Sequence, residues 1–132
     1  MEPGSYQKKI EGLSPITFEL PPLTTEAVGA FRKATHTQYA VGIPPTFPTC
    51  FRKAEFDWLD RIQVDMRTLL HTEQEYEYLK PLQNGDKLSV TTAVESCRER
   101  RGMTFIVLLS QVFKGDSEMI RSHTTFVLRT GG

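Results

Sequence analysis

Apolar residues recur along this chain with two different periods, and the change of period divides it. Phe47, Cys50, Phe51, Ala54 and Trp58 stand three and four apart, the spacing of one helical face. Arg52, Lys53, Glu55 and Asp57 are expected on the opposite, solvated face, while Phe56 and Leu59 widen the apolar side. This helix begins near Thr46, and Pro48 suits its first turn because the N–H it lacks has no partner there. A shorter helix precedes it, capped by Thr24 or Thr25, with Glu26 in the first turn. Ala27, Phe31 and Ala34 form its expected buried stripe, weakened by Gly29. Further upstream, Ile16 to Leu20 alternates as a strand and stops at Pro21-Pro22. Met1 to Ser14 is polar and contains Gly and Pro, a loose leader to a domain spanning 15–130.

In the second half the period becomes two. Gln74, Tyr76 and Tyr78 share one face of a strand over Glu73 to Leu79, and Glu73, Glu75 and Glu77 take the other. Asn84-Gly85-Asp86 turns the chain, Gly85 supplying a positive φ. Leu88, Val90, Thr92 and Val94 face inward along the next strand. Met103 to Phe113 is almost continuously apolar, which predicts a central strand covered on both faces. Lys114-Gly115-Asp116-Ser117 turns again, and Met119 to Leu128 returns. Helices followed by an antiparallel meander give an α+β fold, a helix lying against a curved sheet.

Composition narrows the function classes. With 132 residues the chain supports one core and not two. A hydrophobic fraction of 39% and sixteen basic against sixteen acidic residues argue against disorder and against a strongly basic nucleic-acid binder. A net charge of zero gives no reason to expect an anionic membrane as partner. Cys50 and Cys97 lie far apart and show no ligand spacing with His36, His71 and His123, so no metal site is expected. That cysteine usage, with no apolar leader segment and no run of membrane-spanning length, fits a reduced cytoplasmic protein.

Three segments in order carry a resemblance: PPTFPT (Pro44 to Thr49), LHTEQEYEY (Leu70 to Tyr78) and PLQNGD (Pro81 to Asp86). From Ile16 to Arg129 the chain resembles the N-terminal MaoC-like dehydratase domain, related to the dehydratase region of fungal-type fatty acid synthases. The resemblance implies a single hotdog domain, an antiparallel β-sheet wrapped around a central α-helix. It implies dehydration of an (R)-3-hydroxyacyl thioester, or hydration of an enoyl thioester. The substrate would ride on coenzyme A or an acyl carrier protein, with no further cofactor. Members work as dimers or as two hotdogs fused in one chain.

Such chemistry needs a group to take the α-proton, a group to protonate the leaving hydroxyl, and fixed N–H donors for the thioester oxygen. Thr49 and Cys50, past Pro48 at the helix start, are the candidate backbone donors, with Pro45 and Phe47 lining the pocket. The same segment also reads as a rigid helix start that packs Phe47. Catalytically competent relatives of this resemblance carry an Asp and a His five residues apart ahead of the central helix. Here that window, Lys33 to Pro45, has His36 and no carboxylate, and nowhere does a His follow an Asp by five. Glu118 and His123 have the spacing, but on one strand an odd offset sends them to opposite faces.

Other candidates each have two readings. His36 is a lone acid/base or a polar residue at a helix C-terminus. Arg98, Arg100 and Arg101 hold a phosphate of coenzyme A or of a carrier-protein arm, or form a solvated hairpin tip. Glu55 and Asp57 sit where some hotdog thioesterases carry a catalytic carboxylate, or merely on the charged helix face. His71 reads as a structural hydrogen bond, His123 as a sheet-surface residue, and Tyr76 and Tyr78 as packing against the helix or at a dimer interface. Three functions stay open. The first is a hydratase/dehydratase subunit lacking its own Asp/His pair, joined to a second hotdog chain that supplies it. The second is a homodimeric acyl-thioester enzyme, hydratase or thioesterase. The third is a non-catalytic acyl-CoA-binding protein.

Overall fold

The computed structural model describes residues 5–21, 23–35 and 52–129. In chain order these form α1 (Ser5–Ile10), β1 (Ile16–Glu19), α2 (Thr25–Thr35), α3 (Lys53–Arg61), a 3₁₀ turn (Met66–Thr68), β2 (Leu69–Tyr78), β3 (Ser89–Arg100), β4 (Met103–Lys114) and β5 (Ser117–Arg129). The strands make one sheet in the order β1-β3-β4-β5-β2, and every neighbouring pair is antiparallel. Two-residue turns explain the β3–β4–β5 meander. Arg101 and Gly102 take φ of 52° and 75° between β3 and β4, the left-handed pair that matches strand twist. Gly115, at φ 60°, opens the next turn.

One face of the sheet is buried beneath the helices, and its interior falls into two apolar clusters. Trp58, Leu59 and Ile62 of α3 and its end pack on Ile106, Leu108, Phe126 and Leu128. The Trp58 indole N–H also donates to the Thr92 carbonyl oxygen at 2.7 Å, which fixes the helix across the sheet. Leu23 and Val28 pack on Leu88, Val90, Val112 and Ile120 at the other end. The Thr24 hydroxyl caps α2 by accepting from the Ala27 N–H at 3.0 Å.

Several expectations need correction. The leader is not loose from Ser5 onward: α1 forms, and Tyr6 is buried in the Trp58 cluster with Ile10 beside it. A Tyr and an Ile four apart give even a short helix an apolar edge. In α2 the inward residue is Val28, with Phe31 half-buried, while Ala27 and Ala34 are exposed. The larger side chain sets the helix rotation. β2 starts at Leu69, four residues before the expected strand. β4 is central but, among the described residues, covered on one face only: Ile106, Leu108 and Val112 are buried, Phe105, Val107 and Leu109 half-exposed. The start of the second helix, near Thr46, lies outside the described residues.

Candidate functional site

The site expected ahead of α3, with His36, Pro45, Phe47, Thr49 and Cys50, lies outside the described residues. The first turn of α3 is described, and its surroundings are polar. Glu55, in the first turn of α3, is 0% exposed, which overturns its assignment to the solvated face. Arg52 pairs with its carboxylate, and the Thr124 hydroxyl donates to it. The Arg52 guanidinium in turn lies over the rings of Phe56 and Phe126, 5.4 and 5.9 Å from their centroids. Phe56 is consequently a lid on Arg52, 47% exposed, and does not widen the buried side. Asp57 behaves as expected of the charged face, pairing with Lys53 at 2.8 Å.

Around Glu55 the inward face of the sheet turns hydroxylic. Thr92, Ser110, Ser122 and Tyr76 stand in register across β3, β4, β5 and β2. The Thr92 and Ser110 hydroxyls lie 2.7 Å apart. The Gln74 amide donates to the Ser122 hydroxyl at 2.7 Å, and the Thr124 hydroxyl lies 2.9 Å from Gln74 Oε1. This belt separates the two apolar clusters. Sequence reasoning missed it, although Thr92, Ser110, Ser122 and Thr124 all occupy inward positions between apolar residues. The cavity bounded by Arg52, Glu55, Ser110 and Ser122 measures about 10 Å³, room for one water and not for an acyl group.

The remaining candidates separate. His71 Nε2 lies 3.1 Å from the Glu73 carbonyl oxygen, with its ring against Phe126. His123 lies on the outward face, 3.4 Å from the Glu95 carboxylate. Met119 is an extra residue in the β4–β5 ladder, where Val112 faces Ile120 but Phe113 faces Glu118. This bulge turns Glu118 to the outward face as well, where it binds Gln111 and Arg121. The odd-offset expectation therefore fails, yet each side chain is engaged elsewhere. Arg98, Arg100 and Arg101 are exposed at the β3–β4 turn, and the sheet stands between the outward side chains of Arg98 and Arg100 and α3. Among the described residues no three His, Cys, Asp or Glu side chains gather as metal ligands would. Burial, and then Glu99, raise the Cys97 thiol above its ordinary pKa, as befits an inert packing residue. No described helix is long and apolar enough to cross a membrane.

Comparison with known proteins fits this architecture. A UPF0336 protein of Mycolicibacterium paratuberculosis is 29% identical over 97 residues, covering 70% of this chain and 58% of the relative. The chain thus spans little more than half of that protein's length. Among solved structures, HtdX of Mycobacterium tuberculosis superposes with a TM-score of 0.72 at 23% identity, over 88% of this chain and 51% of that one. The HadBC (3R-hydroxyacyl-ACP dehydratase) complex of the same organism superposes with 0.67 at 21% identity, over 89% and 98%. At these identities the two share the hotdog fold with this chain. The model of the FAS1-like dehydratase domain region matches residues 24–122. With three quarters of its length matched, this chain belongs to the FAS1-like dehydratase-region family, as a single hotdog domain.

Proposed function

We propose that this chain is the non-catalytic half of an (R)-3-hydroxyacyl thioester dehydratase, or enoyl thioester hydratase, working with a second hotdog that carries the Asp/His pair. The observation that carries this reading is a combination: the family's model matches three quarters of the chain, and no Asp is followed five residues later by a His. The second hotdog takes the α-proton and protonates the leaving hydroxyl. This chain contributes the acyl pocket through Pro45 and Phe47. The Thr49 and Cys50 backbone N–H groups meet the charge that develops on the thioester oxygen. Two features support a partner. β2 is one of the two edge strands of the sheet, with its second edge unpaired among the described residues, and such an edge invites another strand. The HadBC structure, similar in fold, is itself a dehydratase complex. The substrate rides on coenzyme A or on a carrier protein.

A homodimeric thioesterase using Glu55 is less well supported. Its carboxylate is held by Arg52 and Thr124, beside a cavity of about 10 Å³. The deciding experiment is native mass spectrometry of the tagged chain from its own organism, followed by assay of enoyl thioester hydration. A one-to-one complex with a hotdog bearing the Asp/His pair, active only as the pair, is the expected result. A homodimer that turns over substrate alone would sink the proposal and return attention to His36 and Glu55.

A further inference from the structure

The outward face of the sheet carries a feature that hydration chemistry does not use. In register across three strands, Met103 stands between Arg100 and Arg129. The next outward row runs Arg98, Phe105, Val127 and Leu70 across four strands. Arg101 sits at the turn beside these rows. Leu70 and Met66 are 66% and 52% exposed, and Met103 39%. A cleft of about 410 Å³ runs between Arg67 and Arg129 over Leu70, Met103 and Val127. Arg67 is matched by Asp65 at 3.0 Å. Arg98, Arg100, Arg101 and Arg129 pair with no carboxylate among the described residues. Four guanidiniums without a carboxylate partner among the described residues thus frame an exposed apolar centre, on a chain whose overall charge is zero.

The spacing selects the occupant. Arg98 and Arg100 are two residues apart on one strand, about 7 Å, and Arg100 and Arg129 two strands apart, about 10 Å. Guanidiniums that grip one phosphate converge on it, often in bidentate pairs. Here the Cα positions of the arginines surround a hydrophobic middle, the pattern of a protein interface in which Arg and apolar anchors alternate. We infer that this corner docks an acidic protein face with an apolar residue at its centre, and that this partner is the carrier protein bearing the acyl thioester. The identity of the cargo rests on the proposed reaction; the docking does not.

The test measures binding of the organism's acyl carrier protein, and separately of coenzyme A, to the chain with any subunit that accompanies it. The Arg98→Glu/Arg100→Glu/Arg129→Glu triple variant and Leu70→Asp are compared with wild type, with circular dichroism as a check on folding. Carrier-protein affinity is expected to fall about tenfold or more in each variant, and to fall with salt in the wild type, while coenzyme A binding is unchanged. Undiminished carrier-protein binding overturns the inference. So does selective loss of coenzyme A binding, which would make the corner a nucleotide-phosphate site, or loss of self-association alone, which would make it a contact between copies. If the docking signature holds while no hydration is detected, the proposed reaction fails and the docking stands. If coenzyme A thioesters are hydrated and no carrier protein binds, the reverse is true.

Discussion

Glu55 is the residue where spacing and residue type conflict. Glu55, Trp58, Leu59 and Ile62 follow the stripe of one helical face, and all four are buried. Reading the glutamate as solvated followed its chemistry instead of its position. A carboxylate is kept there only because Arg52 and Thr124 compensate it. Glu55→Ala, which strands the Arg52 guanidinium, is expected to lower unfolding free energy by about 3–5 kcal/mol. Glu55→Gln, which keeps an acceptor for Thr124, should cost visibly less in urea titration. Asp86 is a second buried carboxylate, at the Asn84-Gly85-Asp86 turn. Burial works to raise its pKa, but Lys114 at 2.8 Å and the Gln83 N–H outweigh it and hold it below the ordinary value. A depressed folded pKa means stability that is full above the unfolded value of about 3.9. It is lost as pH falls through the folded one. Asp86→Asn should flatten that acid-side loss in urea titrations between pH 7 and 3, and an unchanged slope would show that other groups control it.

At the scale of elements, the strands were largely legible because their side chains alternate and their turns carry glycine. Inward Leu88, Val90 and Thr92 are buried as the pattern required. The limits were local. No pattern announces the extra residue at Met119, which reverses the facing of Glu118, because a bulge is set by how two strands fit. α1 was missed because six residues carry too little periodicity to read. The β3–β4 turn offers a clean test of element chemistry. Arg101 takes φ 52°, a conformation that Asn tolerates better than Arg. Arg101→Asn is expected to raise stability by up to about 1 kcal/mol in thermal denaturation. It should also weaken carrier-protein binding if the arginine corner docks one. A loss of stability instead would mean that the Arg101 side chain contributes to holding the turn.

For the whole molecule, the sequence led to the α+β hotdog and to its family, while the candidate site was legible mainly through the resemblance. Its residues from His36 to Cys50 lie outside the described part. The uncovered face of β4 was misjudged for a simple reason: composition records that a face is apolar, not which molecule covers it. The hydroxyl belt has one more consequence. Apolar alternation resists a strand slipping by one residue, since every side chain would change face. It is nearly blind to a slip of two, which returns apolar groups to the inside. In the aligned row of Thr92, Ser110, Ser122 and Tyr76, a two-residue slip of β3 on β4 would set Thr92 against Leu108 or Val112, and one of β5 would leave Glu55 without Thr124. The polar row is a key cut across four strands, and only one alignment of the sheet turns it.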